Sequence, residues 1–245
     1  MSYNNQYRPN SFGNLPVVTK NIIIINVILY IATVLLIQTK NINLTDYLGL
    51  HYYLAPEFKP HQFITYIFMH DSHNFSHILF NMIGVYIFGQ VLENVWGAKR
   101  YLIFYIATGL GAAIAQYIIL HFELQETLGK LNLEIENFKT DPKYVTQLIE
   151  YKSMLLKNSV IVGASGSLFG LLGAFGLLFP NTLLYLYFFI PVKAKWIVIG
   201  YGAFELFSGL SNNPGDNVAH FAHLGGLAVG ILLVLIWRKN RQQFY

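Results

Sequence analysis

Six apolar runs, each about as long as a bilayer is thick, constrain the fold of this chain more than any other feature. A transmembrane helix needs about 20 apolar residues, and six segments approach that length. They are residues 21–38, 75–95, 101–121, 160–179, 194–211 and 218–237. Charged residues make up 11% of the 245 residues, against roughly 25% in a soluble domain. We therefore predict an all-α membrane protein, a bundle of six transmembrane helices in a lipid bilayer.

The distribution of basic residues predicts how this bundle is oriented. The segments before run 1, between runs 2 and 3, between runs 4 and 5, and after run 6 contain basic residues and no acidic ones. The basic residues are Arg8, Lys20, Lys99, Arg100, Lys193, Lys195, Arg238, Lys239 and Arg241. Because Lys and Arg favour cytoplasmic loops, we expect both termini in the cytoplasm. The absence of a recognisable targeting signal favours a bacterial plasma membrane, and the dispersed basic residues predict no nucleic-acid partner.

The chain divides into one membrane domain and two polar ends. We expect a cytoplasmic polar segment at 1–20, a membrane domain at 21–237 and a cytoplasmic basic tail at 238–245. A long, aromatic-rich outer loop joins runs 1 and 2. Residues 123–157 form a second outer insert with apolar residues at helical spacing, divided by Pro142. We predict two short amphipathic helices in this insert, resting on the membrane surface.

Polar residues inside three of the runs lie at one depth. His77 and Asn81 lie near the outer start of run 2, Ser165 near that of run 4, and His223 near that of run 6. At a rise of 1.5 Å per residue, Ser165 and His223 lie about 22 Å, and Asn81 about 24 Å, above the inner boundary. Polar groups within membrane spans are costly and are therefore functional candidates.

Small-residue motifs beside two of these residues predict that they meet. Run 4 carries Gly166-x-x-x-Gly170 and run 6 carries Gly226-x-x-x-Gly230, a spacing that lets membrane helices approach closely. A crossing at these glycines brings the Ser165 hydroxyl towards the His223 imidazole, which is the nucleophile–base pair of serine catalysis.

Other interpretations of the polar residues stay open from the residues alone. The serines and glycines of run 4 also suit plain helix packing. His220, one turn before His223, is an alternative base. A metal cluster of the histidines is disfavoured, because no HExxH motif occurs and only Glu205 offers a carboxylate at a similar depth. Glu93 is expected to cap backbone groups of a loop near the inner boundary.

Four motifs together make the chain similar to the rhomboid intramembrane serine proteases. They are HILFN (77–81), GQVLENVWG (89–97), GASG (163–166) and AHLGGLAVG (222–230), within residues 60–237. The resemblance implies a Ser–His dyad, with Ser165 as nucleophile and His223 as general base. It also implies that His77 and Asn81 stabilise the oxyanion, that no metal or cofactor takes part, and that the substrates are single-span or multi-span membrane proteins.

Two positions depart from the family pattern. Phe169 stands where some members have Tyr, and His61–Gln62 stands where an aromatic residue is often followed by Arg or Gln. We expect a dyad without an acidic third member, and run 5 as the movable wall for substrate entry. The alternative function is a non-catalytic membrane protein that uses the same bundle to bind or transport a substrate.

Overall fold

A computed structural model of the chain describes residues 15–186, 189–211 and 218–239. Most of the predicted N-terminal segment and basic tail lies outside the described residues. Ten α-helices and four short strands form within the described ranges. The helices are α1 (Val17–Lys40), α2 (Thr45–Leu48), α3 (Gln62–Thr65), α4 (Phe75–Gly84), α5 (Gln90–Trp96), α6 (Ala98–Asn137), α7 (Pro142–Asn158), α8 (Ser165–Leu178), α9 (Ala194–Ser211) and α10 (His220–Lys239). The strands are β1 (Leu50–His51), β2 (Val160–Ile161), β3 (Leu183–Leu186) and β4 (Ile190–Lys193), paired antiparallel as β1–β2 and β3–β4.

Four segments within the described ranges are long and apolar enough to cross a membrane. They are α1, the continuous segment of α4 and α5 joined by a π-helical turn at Val85–Gly89, α6 and α10. The predicted all-α membrane bundle is confirmed in this form. Run 4 of the sequence becomes α8, which is shorter than the other four segments. Run 5 becomes α9, and Lys195 and Glu205 reduce its mean hydropathy.

The short helix α8 begins later than the apolar run that contains it. Residues 160–161 pair with β1 instead of starting a helix, and Gly163 adopts a φ of 130°, which favours glycine. The helix therefore starts at Ser165 and has 14 residues. Its length of about 21 Å is less than the hydrocarbon thickness of about 30 Å. One end of α8 can therefore lie below the membrane surface.

The core of the bundle is the crossing of α8 with α6 and α10. A Cβ on Gly226 would overlap the carbonyl oxygen of Gly166, and a Cβ on Gly230 would lie 2.7 Å from the carbonyl oxygen of Gly170. The predicted close crossing of the two GxxxG motifs is thus confirmed. On another side of α8, the buried Ser167 hydroxyl donates a hydrogen bond to the Tyr105 carbonyl of α6 at 2.8 Å.

The outer insert differs from the predicted pair of surface helices. Its first half is the end of α6, because no proline interrupts residues 122–137 and the helix continues through Gly129. The 40 residues of α6 extend about 60 Å, roughly twice the hydrocarbon thickness, so the end of α6 projects out of the bundle. The second half is α7, which begins at Pro142 as expected and whose N-terminus is capped by Asp141.

The loop between α1 and α4, called the outer loop after its predicted side, packs under this helical hairpin. Leu124 and Leu128 of α6 and Leu156 of α7 form a buried cluster with Tyr52 and Ala55 of the loop. The insert is therefore a support for the outer loop.

Gln62, the second residue of the His61–Gln62 pair, fixes the path of that loop. Its side-chain oxygen accepts hydrogen bonds from the backbone N–H groups of His51 and Lys59, at 3.3 and 3.1 Å. Its amide nitrogen donates to the carbonyls of Glu57 and Tyr47, at 2.9 and 3.3 Å. A single buried side chain thus joins four points of the loop.

Glu93 lies at the opposite end of the bundle and caps a helix rather than the expected loop. Its carboxylate accepts hydrogen bonds from the backbone N–H groups of Val18 and Thr19, at 2.9 and 2.7 Å, and from the Thr19 hydroxyl at 2.7 Å. These donors belong to the first turn of α1, where backbone N–H groups have no partner within the helix. Glu93 therefore fastens α5 to the start of α1.

Candidate active site

Ser165 and His223, on two different helices, lie within hydrogen-bonding distance. The Ser165 Oγ is 2.8 Å from the His223 Nε2. The crossing of α8 and α10 sets this distance, because Gly166 and Gly226, which touch there, adjoin or closely follow the two residues. This arrangement allows the hydroxyl to donate to the imidazole, as proton transfer from serine to histidine requires.

The backbone before α8 brings Ser165 and His77 to the same space. The Gly163 N–H donates to the Tyr66 carbonyl at 3.1 Å, which fixes this turn. A Cβ on Gly163 would lie 3.0 Å from the His77 Nε2 and 3.5 Å from the Ser165 Oγ. Because Gly163 has no Cβ, a small space stays open between the Ser165 hydroxyl and the His77 ring. Ser165 is the first residue of α8, so its N–H has no partner within the helix.

Asn81 lies one turn after His77 on α4. Its Nδ2 donates to the His77 carbonyl at 2.7 Å, while its Oδ1 has no hydrogen-bond partner among the described residues. The start of α4 is capped by Asn74, whose side chain accepts from the His77 N–H at 3.2 Å. Both predicted oxyanion residues are thus held on a capped helix.

A second histidine, His70 of the outer loop, lies beside His77. The His70 ring lies 5.1 Å from the His77 ring. Burial, and to a smaller extent the neighbouring His77, lower the pKa of His70 to about 3. His70 is therefore neutral at physiological pH and adds no positive charge beside His77.

Phe169 packs flat against the imidazole of His223. The two ring centroids are 4.3 Å apart and the planes differ by 4°. Phe169, which stands where some family members have Tyr, therefore keeps the aromatic face and lacks only the hydroxyl. This stacking restricts rotation of the histidine ring.

Glu205 of α9, a carboxylate that the sequence placed at a similar depth but outside the predicted dyad, lies behind His223. Its Oε2 is 3.0 Å from the His223 Nδ1 and 2.6 Å from the His220 Nδ1. The contact with His220 is a hydrogen bond, whereas the Nδ1–H of His223 is close to the carboxylate but not aligned with it. Two signals in the sequence could have identified this residue: Glu205 is the acidic residue inside run 5, and His220 and His223 are spaced to share one helix face.

These three side chains are also the one group of the described residues whose ligand atoms converge closely enough to hold a metal ion. Their ligand atoms lie within 4.8 Å of one another, and the group includes neither His70, His73 nor His77. The larger histidine cluster, an alternative disfavoured from the sequence, therefore does not form among the described residues. The imidazole nitrogens that a metal would need already face the Glu205 carboxylate.

A cavity of about 1270 Å³ connects the candidate residues. Ser165, His223, His77 and Asn81 all line this cavity, and so do residues of α4, α8, α9, α10 and the outer loop. The four residues predicted from their depth in the sequence are thus brought to one space.

Comparison with known proteins identifies the class to which this membrane bundle belongs. The family described as "Rhomboid domain" matches residues 57–240. The chain is an integral membrane protein, and it belongs to the rhomboid family.

Curated relatives agree with this assignment. The chain is 33% identical over 187 residues to "RHOMBOID-like protein 12, mitochondrial" of Arabidopsis thaliana, covering 75% of this chain and 48% of that protein. It is 29% identical over 184 residues to the Bacillus subtilis (strain 168) protein named "Putative rhomboid protease YdcA", covering 74% and 69%. It is 26% identical over 228 residues to "Rhomboid-like protein 11, chloroplastic" of Arabidopsis thaliana, covering 81% and 63%. The chain thus spans about half the length of the mitochondrial relative. The family and the Bacillus relative support an intramembrane protease activity.

Proposed function

We propose that this protein is an intramembrane serine endopeptidase that uses Ser165 as nucleophile and His223 as general base. The observation that carries the proposal is the 2.8 Å contact between the Ser165 Oγ and the His223 Nε2, inside a cavity of a rhomboid-family bundle. His223 takes the hydroxyl proton as Ser165 attacks a peptide carbonyl. It then protonates the leaving amine, and water releases the acyl-enzyme. This chemistry needs no metal and no cofactor.

The developing oxyanion is stabilised by three donors around the nucleophile. The Ser165 N–H has no partner in α8 and lies at the positive end of the helix dipole. His77 and Asn81 line the same cavity from α4. Removing one donor of this kind costs about 2.7–4 kcal/mol of transition-state stabilisation in a soluble serine protease.

The substrate is a transmembrane segment of another membrane protein, which reaches Ser165 from the side of the bundle. The cavity is lined by Phe80 and Ile83 of α4, by Ile87 of the π-helical turn that follows, and by Ile197 and Tyr201 of α9, so both helices border it. A substrate helix must unwind to expose a carbonyl. Gly and Pro in the target favour cleavage, because they disfavour a helix interior by about 1 and 3 kcal/mol relative to Ala.

The topology that fits this function has six spans, with α8 and α9 added to the four longer ones. The basic segments lie on the cytoplasmic side, together with both termini, and the site opens to the outer face. The host membrane that we propose is a bacterial plasma membrane.

Cleavage of a reporter substrate tests this function. The purified chain is reconstituted in liposomes with a single-span fluorescent substrate, beside Ser165→Ala and His223→Ala. The matched control is Ser167→Ala, which removes a buried hydroxyl two residues away that bonds to the Tyr105 carbonyl. We expect cleavage by wild type and the control and none by the other two variants. Cleavage that survives in Ser165→Ala rejects the nucleophile, and binding without cleavage by wild type supports the non-catalytic alternative.

A further inference from the structure

The carboxylate of Glu205 is buried, and its contacts with two imidazoles offset the free-energy cost of burying a charge. Its side chain is 6% exposed and lies within an apolar helix. An ionised group buried in this way is expensive unless it is paired and hydrogen-bonded. The partners that the structure gives its Oε2 are the Nδ1 atoms of His220 and His223.

The imidazole of His223 needs a defined tautomer to accept a proton from Ser165. Its Nε2 must be unprotonated when it faces the serine hydroxyl, so the proton of the neutral ring belongs on Nδ1. An acceptor 3.0 Å from Nδ1 favours that tautomer. The Nδ1–H is not aligned with the carboxylate in this structure, and catalytic hydrogen bonds of free enzymes often tighten only when substrate binds.

We propose that Glu205 is a positioning residue that orients His223 and stabilises the imidazolium formed during catalysis. This inference rests on the proposed function of Ser165 and His223. The proton of the Ser165 hydroxyl moves to the His223 Nε2, the Nδ1 proton stays on the ring, and Glu205 remains ionised. The site is then a Ser–His–Glu arrangement in place of the dyad expected from the sequence.

His220 completes this arrangement by holding the carboxylate. Its Nδ1 contacts the same Oε2 atom at 2.6 Å, and it lies one turn before His223 on α10. Glu205 therefore bridges two histidines of one helix, which fixes the position of its oxygen relative to His223. His220 is thus a support of the acid, and this replaces the alternative of His220 as the base.

Activity measurements on Glu205→Gln isolate the negative charge, because glutamine keeps the size and a carbonyl acceptor. We expect kcat to fall about 10²- to 10⁴-fold while KM stays within about threefold, by analogy with the carboxylate of soluble serine proteases. The rate at which a fluorophosphonate labels Ser165 should fall in parallel. The control is Glu93→Gln, which alters another buried membrane carboxylate, the helix cap of α1, and should leave kcat unchanged.

A second measurement determines the tautomer of His223 and needs no substrate. In ¹⁵N-histidine NMR of the full chain, His223 should carry its proton on Nδ1, and this preference should weaken in Glu205→Leu, which removes the acceptor. Full kcat in Glu205→Gln, or a wild-type proton on Nε2, would overturn the inference. Loss of activity on chelation, restored by Zn²⁺, would also overturn it and make the cluster a metal site. If wild type neither cleaves nor labels but shows the Glu205-dependent tautomer, the proposed function fails while the positioning of His223 stands.

Discussion

Glu93 and Glu205 are both buried carboxylates in apolar helices, and their partners differ in kind. Glu93, 4% exposed, is satisfied by backbone N–H groups and a hydroxyl at the start of α1. Glu205, 5% exposed, is hydrogen-bonded to the His220 imidazole and lies 3.0 Å from that of His223, beside a cavity. The first set of partners fixes one helix to another, whereas the second can change charge during a reaction. Two equally buried carboxylates in a membrane protein can therefore have different roles, one structural and one in a reaction, and the groups that they contact distinguish these roles.

The same contrast extends to the two halves of the bundle. At one end, the Glu93 carboxylate is paired with two backbone N–H groups and a hydroxyl of α1. Near Glu205, Ser165, His77 and Asn81 face a shared cavity. We infer that the end with Glu93 supplies stability and that the end with Glu205 supplies chemistry, and substitutions at each end test this division.

The largest effect is expected from Gly226→Leu, which disrupts the helix crossing that brings Ser165 and His223 together. Even a Cβ at this position would overlap the Gly166 carbonyl oxygen, so α10 must move away from α8 and His223 must leave Ser165. We expect kcat to fall by about 10⁶-fold, the loss found when the base of a soluble serine protease is removed. The control is Gly200→Leu on α9, where a Cβ meets nothing within 4 Å. Equal activity of the two variants, in the cleavage assay, would show that the crossing does not position the site.

A smaller effect is expected from Asn81→Ala at the cavity. We expect kcat to fall about 10²- to 10³-fold, as when one oxyanion donor is removed, with little change in the unfolding midpoint. Asn26→Ala is a closely matched control, since the Nδ2 of each asparagine donates to the carbonyl four residues earlier at 2.7 Å. Asn26 lies on α1 and is not among the residues that line the cavity. If both variants lose activity equally, the loss reflects helix structure and Asn81 has no special role.

The smallest effect on activity is expected from Thr19→Val at the Glu93 end. The change removes the hydroxyl that donates to Glu93 at 2.7 Å and keeps the size of the side chain. We expect the free energy of unfolding to fall by about 1.5–3 kcal/mol, the usual contribution of a hydrogen bond to a charged group, and kcat to stay within about twofold. Thermal unfolding in detergent and the cleavage assay provide the two readings. A large loss of kcat in folded protein would break the proposed division between the two ends.

The sequence predicted the helices and the close crossing because membrane helices leave strong local signals. Apolar length marks α1, α6 and α10, and the paired GxxxG motifs mark where α8 and α10 touch. Ser165 was placed near the start of its helix, but the apolar run was drawn from residue 160. The structure differs there because residues 160–161 pair with the distant strand β1, and pairing between distant segments leaves no local pattern. The continuation of α6 beyond the membrane was missed for another reason: the change from apolar to polar composition resembled a helix end.

The sequence predicted those site residues whose position depends on their depth along a membrane helix. Ser165, His223, His77 and Asn81 share a depth and line one cavity. Glu205 was not assigned to the site, because its approach to His223 depends on how α9 is rotated and packed. Neither rotation nor packing can be read from the spacing of residues on a single helix.

Labelling with a fluorophosphonate tests the pairing of Ser165 with His223 most directly, because it requires no knowledge of the natural substrate. The reconstituted protein is treated with the probe, and the modified residue is located by mass spectrometry. We predict labelling at Ser165 in wild type and in Ser167→Ala, and none in His223→Ala, because we propose that the imidazole 2.8 Å from the hydroxyl activates the serine. Labelling of Ser165 that persists undiminished in His223→Ala, or labelling at another residue, would contradict the account.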